Sequence, residues 1–318
     1  MTSFFNAEDR LTAEDSPSLA RRRVRLALRE LREAANLTQA QVAEATDFSM
    51  SKVIRIESGE VTIAPNDLRA LLPVLGVSAP ERIEAMVNDA KIARSRPRNQ
   101  WWSESRFKDH VPEALRRFVQ FERTAVTLKL FGNYLVPGPL QTESFARAVL
   151  HRWQDNGRFS LTAEDVEMRL EARMRRREAL LGRTDAPEIH VLLDESTVLR
   201  LNGSAKILAD QLTDTLSLVK AGKIILRVIP FDSLEAPLPT IGTFDLLYLN
   251  ASRSDEDAVI YYERDVHDGV IEDAAEIAYY RQTFEKMWES SLDEQATIAL
   301  VQSRLPKPGA GKLSREKT

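Results

Sequence analysis

Leu37 to Gly59 reads LTQAQVAEATDFSMSKVIRIESG. Thr38 is a helix N-cap. Gln41, three residues on, reaches back to the cap's backbone N–H, so two orphan donors are satisfied locally in a capping box. Val42 faces a core, and Ala43 falls where two helices cross closely. Ser49 caps a second short helix whose first turn is Met50, Ser51 and Lys52. Val53 and Ile56 lie three apart and point inward, while Arg55 between them points outward.

Two short helices meeting at a tight turn satisfy the physical requirement of a helix-turn-helix. One helix rests across a DNA backbone, and the next enters the major groove with its N-terminal residues against base edges. On this reading Gln39 hydrogen-bonds a phosphate and sets register. Ser49 starts the reading helix. Met50, Ser51 and Lys52 face base edges, Lys52 donating to guanine and Met50 touching a thymine methyl. Arg55, one turn on, reaches a base or the backbone.

The stretch resembles the helix-turn-helix of phage-repressor-type, or Xre-like, regulators. The matching residues are Leu37-Thr38-Gln39, Val42-Ala43, Ser49, Ser51, Val53 and Ile56-Glu57, with Gly59 behind. Two positions depart from that pattern. Asp47 stands where the turn usually has Gly, and Asp tolerates the left-handed conformation better than most residues. Ala64 stands before Pro65 where a Ser or Thr cap is usual, which weakens the next helix start by about 1 kcal/mol. The resemblance implies a compact, five-helix, lambda-repressor-like domain over residues 18–94.

Around this motif the chain has 318 residues, enough for two domains. Its hydrophobic content of 43% and charged content of 29% are those of a globular protein. No cysteine is present, which excludes disulfides and thiolate metal sites. The start, MTSFFNAEDRLTAEDS, lacks the apolar core of a signal peptide. No apolar run approaches the roughly 18 residues that span a membrane. A cytoplasmic protein is expected. The net charge of −4 argues against a chain coated for non-specific nucleic-acid binding, so any basic patch must be local. Arg21-Arg22-Arg23 with Arg25, Arg29 and Arg32 supplies such a concentration. Phosphate contact and a solvated helix face both explain it.

The expected organisation begins with a disordered leader, residues 1–17, before the helix-turn-helix domain. Residues 95–100 are a charged linker. A C-terminal regulatory domain follows over 101–304, helical over 101–186 and α/β over 187–304, then a disordered basic tail, 305–318. The fold class is α+β, mostly α, with a small mixed sheet. Trp101-Trp102 anchors a domain edge. Val111 to Phe131 reads as a helix with Phe118, Phe121 and Leu128 on its apolar face. Thr162 with Asp165 opens a long helix. Its Arg173, Arg175, Arg176 and Arg177, interleaved with glutamates, predict a salt-bridged exposed face. Strands are expected at Ile189 to Leu193 and Ile224 to Ile229, parallel across a helix, and at Phe244 to Leu249 and Ala258 to Tyr262 as a hairpin.

This C-terminal part is similar to the antitoxin-like domain of unknown function that follows an Xre-like motif in many actinobacterial regulators. The similarity rests on Trp101-Trp102, LVPGPLQTESFARA, RLEARMRRREALL, LLDES, the strand ending at Ile229 to Phe231, GTFDLLYL and Tyr261 to Glu263. It implies a transcription regulator often paired with a small acidic protein encoded nearby.

An enzyme would need other signals. The four histidines, His110, His151, His190 and His267, form no metal-binding pair, and no phosphate loop or nucleophile elbow is present. Asp194-Glu195 follows a strand but reads as a helix cap. Glu263 with His267 is equally a strand end. The expectation is no catalysis, no cofactor and no metal. Expected partners are double-stranded DNA, a second copy of the chain, and the small acidic protein. Dimerisation rests on magnitude, because one helix with three or four reading residues gives little specificity. A two-fold dimer reads two half-sites about 34 Å apart.

Overall fold

A computed structural model describes residues 16–95, 100–154, 161–233, 242–263 and 268–306. The chain divides between Ser103 and Glu104 into two units. The expected leader up to residue 15, most of the linker, His267 and nearly all of the tail lie outside the described residues.

Among its described residues the N-terminal unit holds five α-helices: α1 (Pro17–Ala34), α2 (Gln39–Thr46), α3 (Met50–Glu57), α4 (Pro65–Val74) and α5 (Pro80–Ala93). They close around Leu28, Val42, Val53, Ile56, Leu68, Leu72 and Val87. Burying each such side chain contributes about 1.5–3 kcal/mol, and this sum holds helices of eight to ten residues that would melt alone. The helix starts follow local chemistry. The Thr38 hydroxyl accepts from the Gln41 N–H at 3.2 Å, and the Gln41 side chain accepts from the Thr38 N–H at 2.8 Å. Asp47 takes the turn's left-handed conformation at φ 56°. Ala64 makes no side-chain cap, as expected, and Pro65 occupies the first turn. Pro73 falls in the last turn of α4, which stops one residue later. Trp102 is buried and meets Trp101 edge-on at 5.5 Å between ring centres.

The C-terminal unit is α+β. Its helices are α6 (Ser105–Lys108), α7 (Glu113–Glu122), α8 (Glu143–Gln154), α9 (Ala163–Leu181), α10 (Glu195–Leu199), α11 (Ala205–Lys220), α12 (Ala274–Glu289) and α13 (Glu294–Ser303). Its strands are β1 (Thr127–Gly132), β2 (Glu188–Asp194), β3 (Ile225–Ile229), β4 (Phe244–Tyr248), β5 (Ala258–Glu263) and β6 (Asp268–Ile271). They form one sheet in the order β3-β2-β1-β4-β5-β6. β1, β2 and β3 run parallel, and β4, β5 and β6 continue antiparallel from β1. The expected parallel pair and the β4–β5 hairpin are both present. One face of the sheet packs Phe131, Phe244 and Ile260 on Ile277, Tyr280, Phe284 and Met287 of α12.

Two expectations are corrected. Val111 to Phe131 is not one helix: α7 ends at Glu122, and Thr127–Gly132 is the strand β1 beside which both halves of the sheet assemble. Leu128, Leu130 and Phe131 are all fully buried. Phe118, Phe121, Ala125 and Leu128 keep a three-to-four-residue spacing that runs on from the helix into the strand, so apolar periodicity alone does not mark the boundary. Residues 101–186 are therefore not wholly helical. The second correction concerns α9. Its capping box forms, with the Thr162 hydroxyl accepting from the Asp165 N–H at 3.0 Å and Asp165 accepting from the Thr162 N–H at 2.8 Å. Val166 and Leu170 are buried. Arg176, however, is not on an exposed face. It is buried against the sheet, its guanidinium bonded to Glu122 of α7 and, at 2.8 Å, to Asp245 of β4.

Candidate nucleic-acid interface

The rotation of α3 is set by Val53 and Ile56, both buried. Its N-terminus is held by Ser49, whose hydroxyl accepts from the Lys52 N–H at 3.2 Å. Met50, Ser51, Ile54, Arg55 and Ser58 are consequently exposed on the outward side. A polar strut behind this face ties three helices together. Glu57 of α3 accepts from Arg32 Nε of α1 at 2.7 Å through one oxygen, and from Gln39 Nε2 of α2 at 2.8 Å through the other. Arg32 also donates to the Leu37 carbonyl at 3.0 Å. Its bond to Glu57 raises the Arg32 pKa further, against the lowering effect of burial.

Each site residue expected from the sequence now has a place. Ser49 is the cap. Met50 and Ser51 stand in the exposed first turn. Lys52 leans away from the outward ridge: its Nζ lies 2.7 Å from Asp67 of α4 and 3.6 Å from the centre of the Phe48 ring. Arg55 is exposed and meets Glu60 at 3.3 Å. The Gln39 side chain, expected to meet a phosphate, instead donates to Glu57.

The basic run of α1 divides. Arg22 and Arg25 are buried, Arg23 pairs with Asp89 of α5 at 2.5 Å, and Arg21 donates to the Gly59 carbonyl. Helical periodicity puts positions 21 and 25 on the side that faces α3 and its following turn, which a count of consecutive arginines does not reveal. Ile54, exposed one turn after Met50, is not among the residues expected from the sequence, and neither are Glu60 and Asp67, the carboxylates that engage Arg55 and Lys52. The four-residue spacing of Met50 and Ile54 was the available signal for the first of these.

The rival residues in the C-terminal unit have structural partners. The Asp194 carboxylate accepts from the Ser196 N–H at 2.8 Å, the cap expected of it. Glu195 accepts from the Phe231 N–H at 2.9 Å and from Arg304 at 3.0 Å. His110 lies 2.8 Å from Asp165, and His190 2.7 Å from Glu188. Among the described residues, no group of three or more His, Cys, Asp or Glu side chains is placed to hold a metal ion. Among the same residues, no helix is long and apolar enough to cross a membrane.

The fold and this surface define the class as a helix-turn-helix DNA-binding regulator whose C-terminal unit is α+β. A helix-turn-helix domain family model matches residues 24–85. The chain belongs to the family of the domain of unknown function DUF5753, whose model matches residues 115–303. No curated protein and no solved structure matches the chain.

Proposed function

We propose that the protein is a cytoplasmic, sequence-specific transcription regulator of the Xre-like type. It inserts α3 into the major groove, and its C-terminal unit mediates dimerisation and responds to a partner or ligand. The observation that carries this reading is the outward face of α3, fixed by the buried Val53 and Ile56 and by the Ser49 cap. Lys52 reaches guanine or phosphate by leaving Asp67. Exposed pairs of this kind are worth about 0–1 kcal/mol, so a bidentate base contact or a phosphate outcompetes them. The same exchange frees Arg55 from Glu60. The reading assigns no catalytic step and no cofactor to the chain. The test is affinity for the duplex upstream of its own gene at several salt concentrations, beside a scrambled duplex. Tight binding to the native duplex alone supports the proposal, and the salt slope counts phosphate contacts. Equal and weak binding to both refutes a stand-alone regulator.

A second reading, an antitoxin-like module acting through a small acidic partner, is favoured by one surface. Tyr134, Leu199, Leu201 and Phe231 are exposed where β1, β2 and β3 end. The Arg200 guanidinium lies 5.6 Å from the Tyr134 ring centre. An exposed apolar group with a cation in its midst suits an acidic partner bearing apolar anchors. Sedimentation of the protein with and without the product of a neighbouring gene separates homodimer, heteromeric complex and monomer.

A further inference from the structure

Among the described residues of the N-terminal unit, two large apolar side chains are exposed, Met50 at 45% and Ile54 at 41%. Both lie on α3. Four residues apart, they stand one above the other on one face. Single exposed apolar side chains are ordinary on any surface, but these two adjoin on the helix that the motif aims at base edges. The cations of the same helix are turned elsewhere, Lys52 toward Asp67 and Arg55 toward Glu60. The outer ridge is thus Met50, Ser51 and Ile54, apolar at both ends.

The major groove offers one apolar feature that separates the base pairs, the C5-methyl of thymine. An isoleucine has no donor or acceptor. Pressed against the cytosine or adenine amino group, or against guanine O6, it would strip water from a polar group and return no hydrogen bond. Against a thymine methyl it buries apolar surface on both sides. The rise between Met50 and Ile54 is about 6 Å along the helix axis, close to two base-pair steps of about 3.4 Å.

We propose that Ile54, with Met50, is a specificity-determining residue that selects thymine methyls about two base-pair steps apart in each half-site. The proposal rests on the DNA-binding reading above and adds which chemical feature of the base is read.

The experiment uses the full chain. A duplex is first selected from a random library, and each selected thymine is then replaced singly by uracil, which keeps every hydrogen-bonding group and removes only the methyl. Affinities are measured for the wild type, Ile54→Ala and Met50→Ala. Ile54 is exposed and Ala is a good helix former, so the variant keeps the fold, which its melting temperature verifies. The expected result is a loss of about three- to tenfold for uracil at one thymine in each half-site. That loss disappears in Ile54→Ala, and a second one, about two steps away, disappears in Met50→Ala. Specific binding that is indifferent to uracil everywhere overturns the proposal and leaves the DNA-binding reading standing. Uracil sensitivity that survives both substitutions also overturns it. Failure to enrich any duplex overturns both, and is recognised before uracil is introduced.

Discussion

In the N-terminal unit, Arg23, Lys52 and Arg55 each meet a carboxylate at the surface, with the Arg55 and Glu60 side chains 53% and 61% exposed. In the C-terminal unit, Arg176 meets Glu122 and Asp245 with all three side chains at most 7% exposed. The chemistry of the pairs is the same and the dielectric surroundings are not. Water and salt screen the first set, so each pair can be opened and its cation handed to a phosphate. The second set lies between α7, α9 and β4, where a charge that loses its partner has no solvent to turn to. The first arrangement suits a surface that binds and releases. The second holds α9 across the sheet in one register, because Arg176 satisfies carboxylates from two other elements at once.

The balance within the buried set is uneven. Burial raises the Asp245 pKa, and the attraction of Arg176 offsets only part of that. Glu122 and Glu263 add repulsion, and the result is about 6. Arg176 goes the other way. Burial alone would lower its pKa, but Glu122 and Asp245 together keep it above its ordinary value. Next to this group, burial, the nearby Glu263 and Asp268, and the bond that the Tyr261 hydroxyl donates to Asp268 at 2.7 Å all push Tyr261 well up. Asp165, at the start of the same helix α9, is the contrast. Burial raises it, yet the bonds from Thr162 and His110 bring it down to about 2.

The largest expected effect comes from breaking the buried set on one side. Arg176→Met leaves two buried carboxylates without a cation and should cost about 3–5 kcal/mol in urea unfolding, against about 0–1 kcal/mol for Arg55→Met. Similar losses for both would erase the distinction between the two units. The next effect is one of pH. The folded-state pKa of Asp245 lies above the unfolded value of 3.8, so the folded chain holds this proton more tightly. Its contribution to stability is present below about pH 4 and falls as pH rises to about 6, by at most about 3 kcal/mol. Asp245→Asn should remove that slope. The check is the difference between the two unfolding free energies across pH 4 to 7, and a flat difference would reject the buried-carboxyl account.

Smaller effects sharpen the comparison from the exposed side. Lys52→Ala should weaken specific DNA binding by about 1–3 kcal/mol if it reads a base, while protein stability shifts by less than about 1 kcal/mol. An equal loss over all duplexes would make Lys52 a phosphate contact. Thr38→Ala removes one half of the capping box and should cost about 1 kcal/mol of stability in the N-terminal unit. Retention of full stability would mean that packing alone holds α2.

The caps and turns of the N-terminal unit were legible because they are local. Thr38 with Gln41, Ser49 with Lys52, and Asp47 in the turn each act within a few residues, and the apolar spacing of α3 and α4 exposes their core sides directly. The class of the site was legible for the same reason. Partner choice was not. Lys52 to Asp67, Gln39 to Glu57 and Arg23 to Asp89 are long-range pairings, and a sequence states the charges without stating which ones meet.

By itself the sequence determined the helix-turn-helix, the five-helix order of the first unit, the long capped helix α9, and four of the strands of the sheet beside β1. Periodicity and capping are short-range properties, so they survive in a linear reading. Tertiary structure decided that Thr127–Gly132 is a strand, that Arg22, Arg25 and Arg176 are inside, and that Met50 and Ile54 share the outer ridge with Ser51 while Lys52 turns aside. Each of these depends on what covers a residue. A helical apolar spacing that runs from α7 into β1 hides where one ends and the other begins, and a buried arginine is spelled in the sequence like an exposed one.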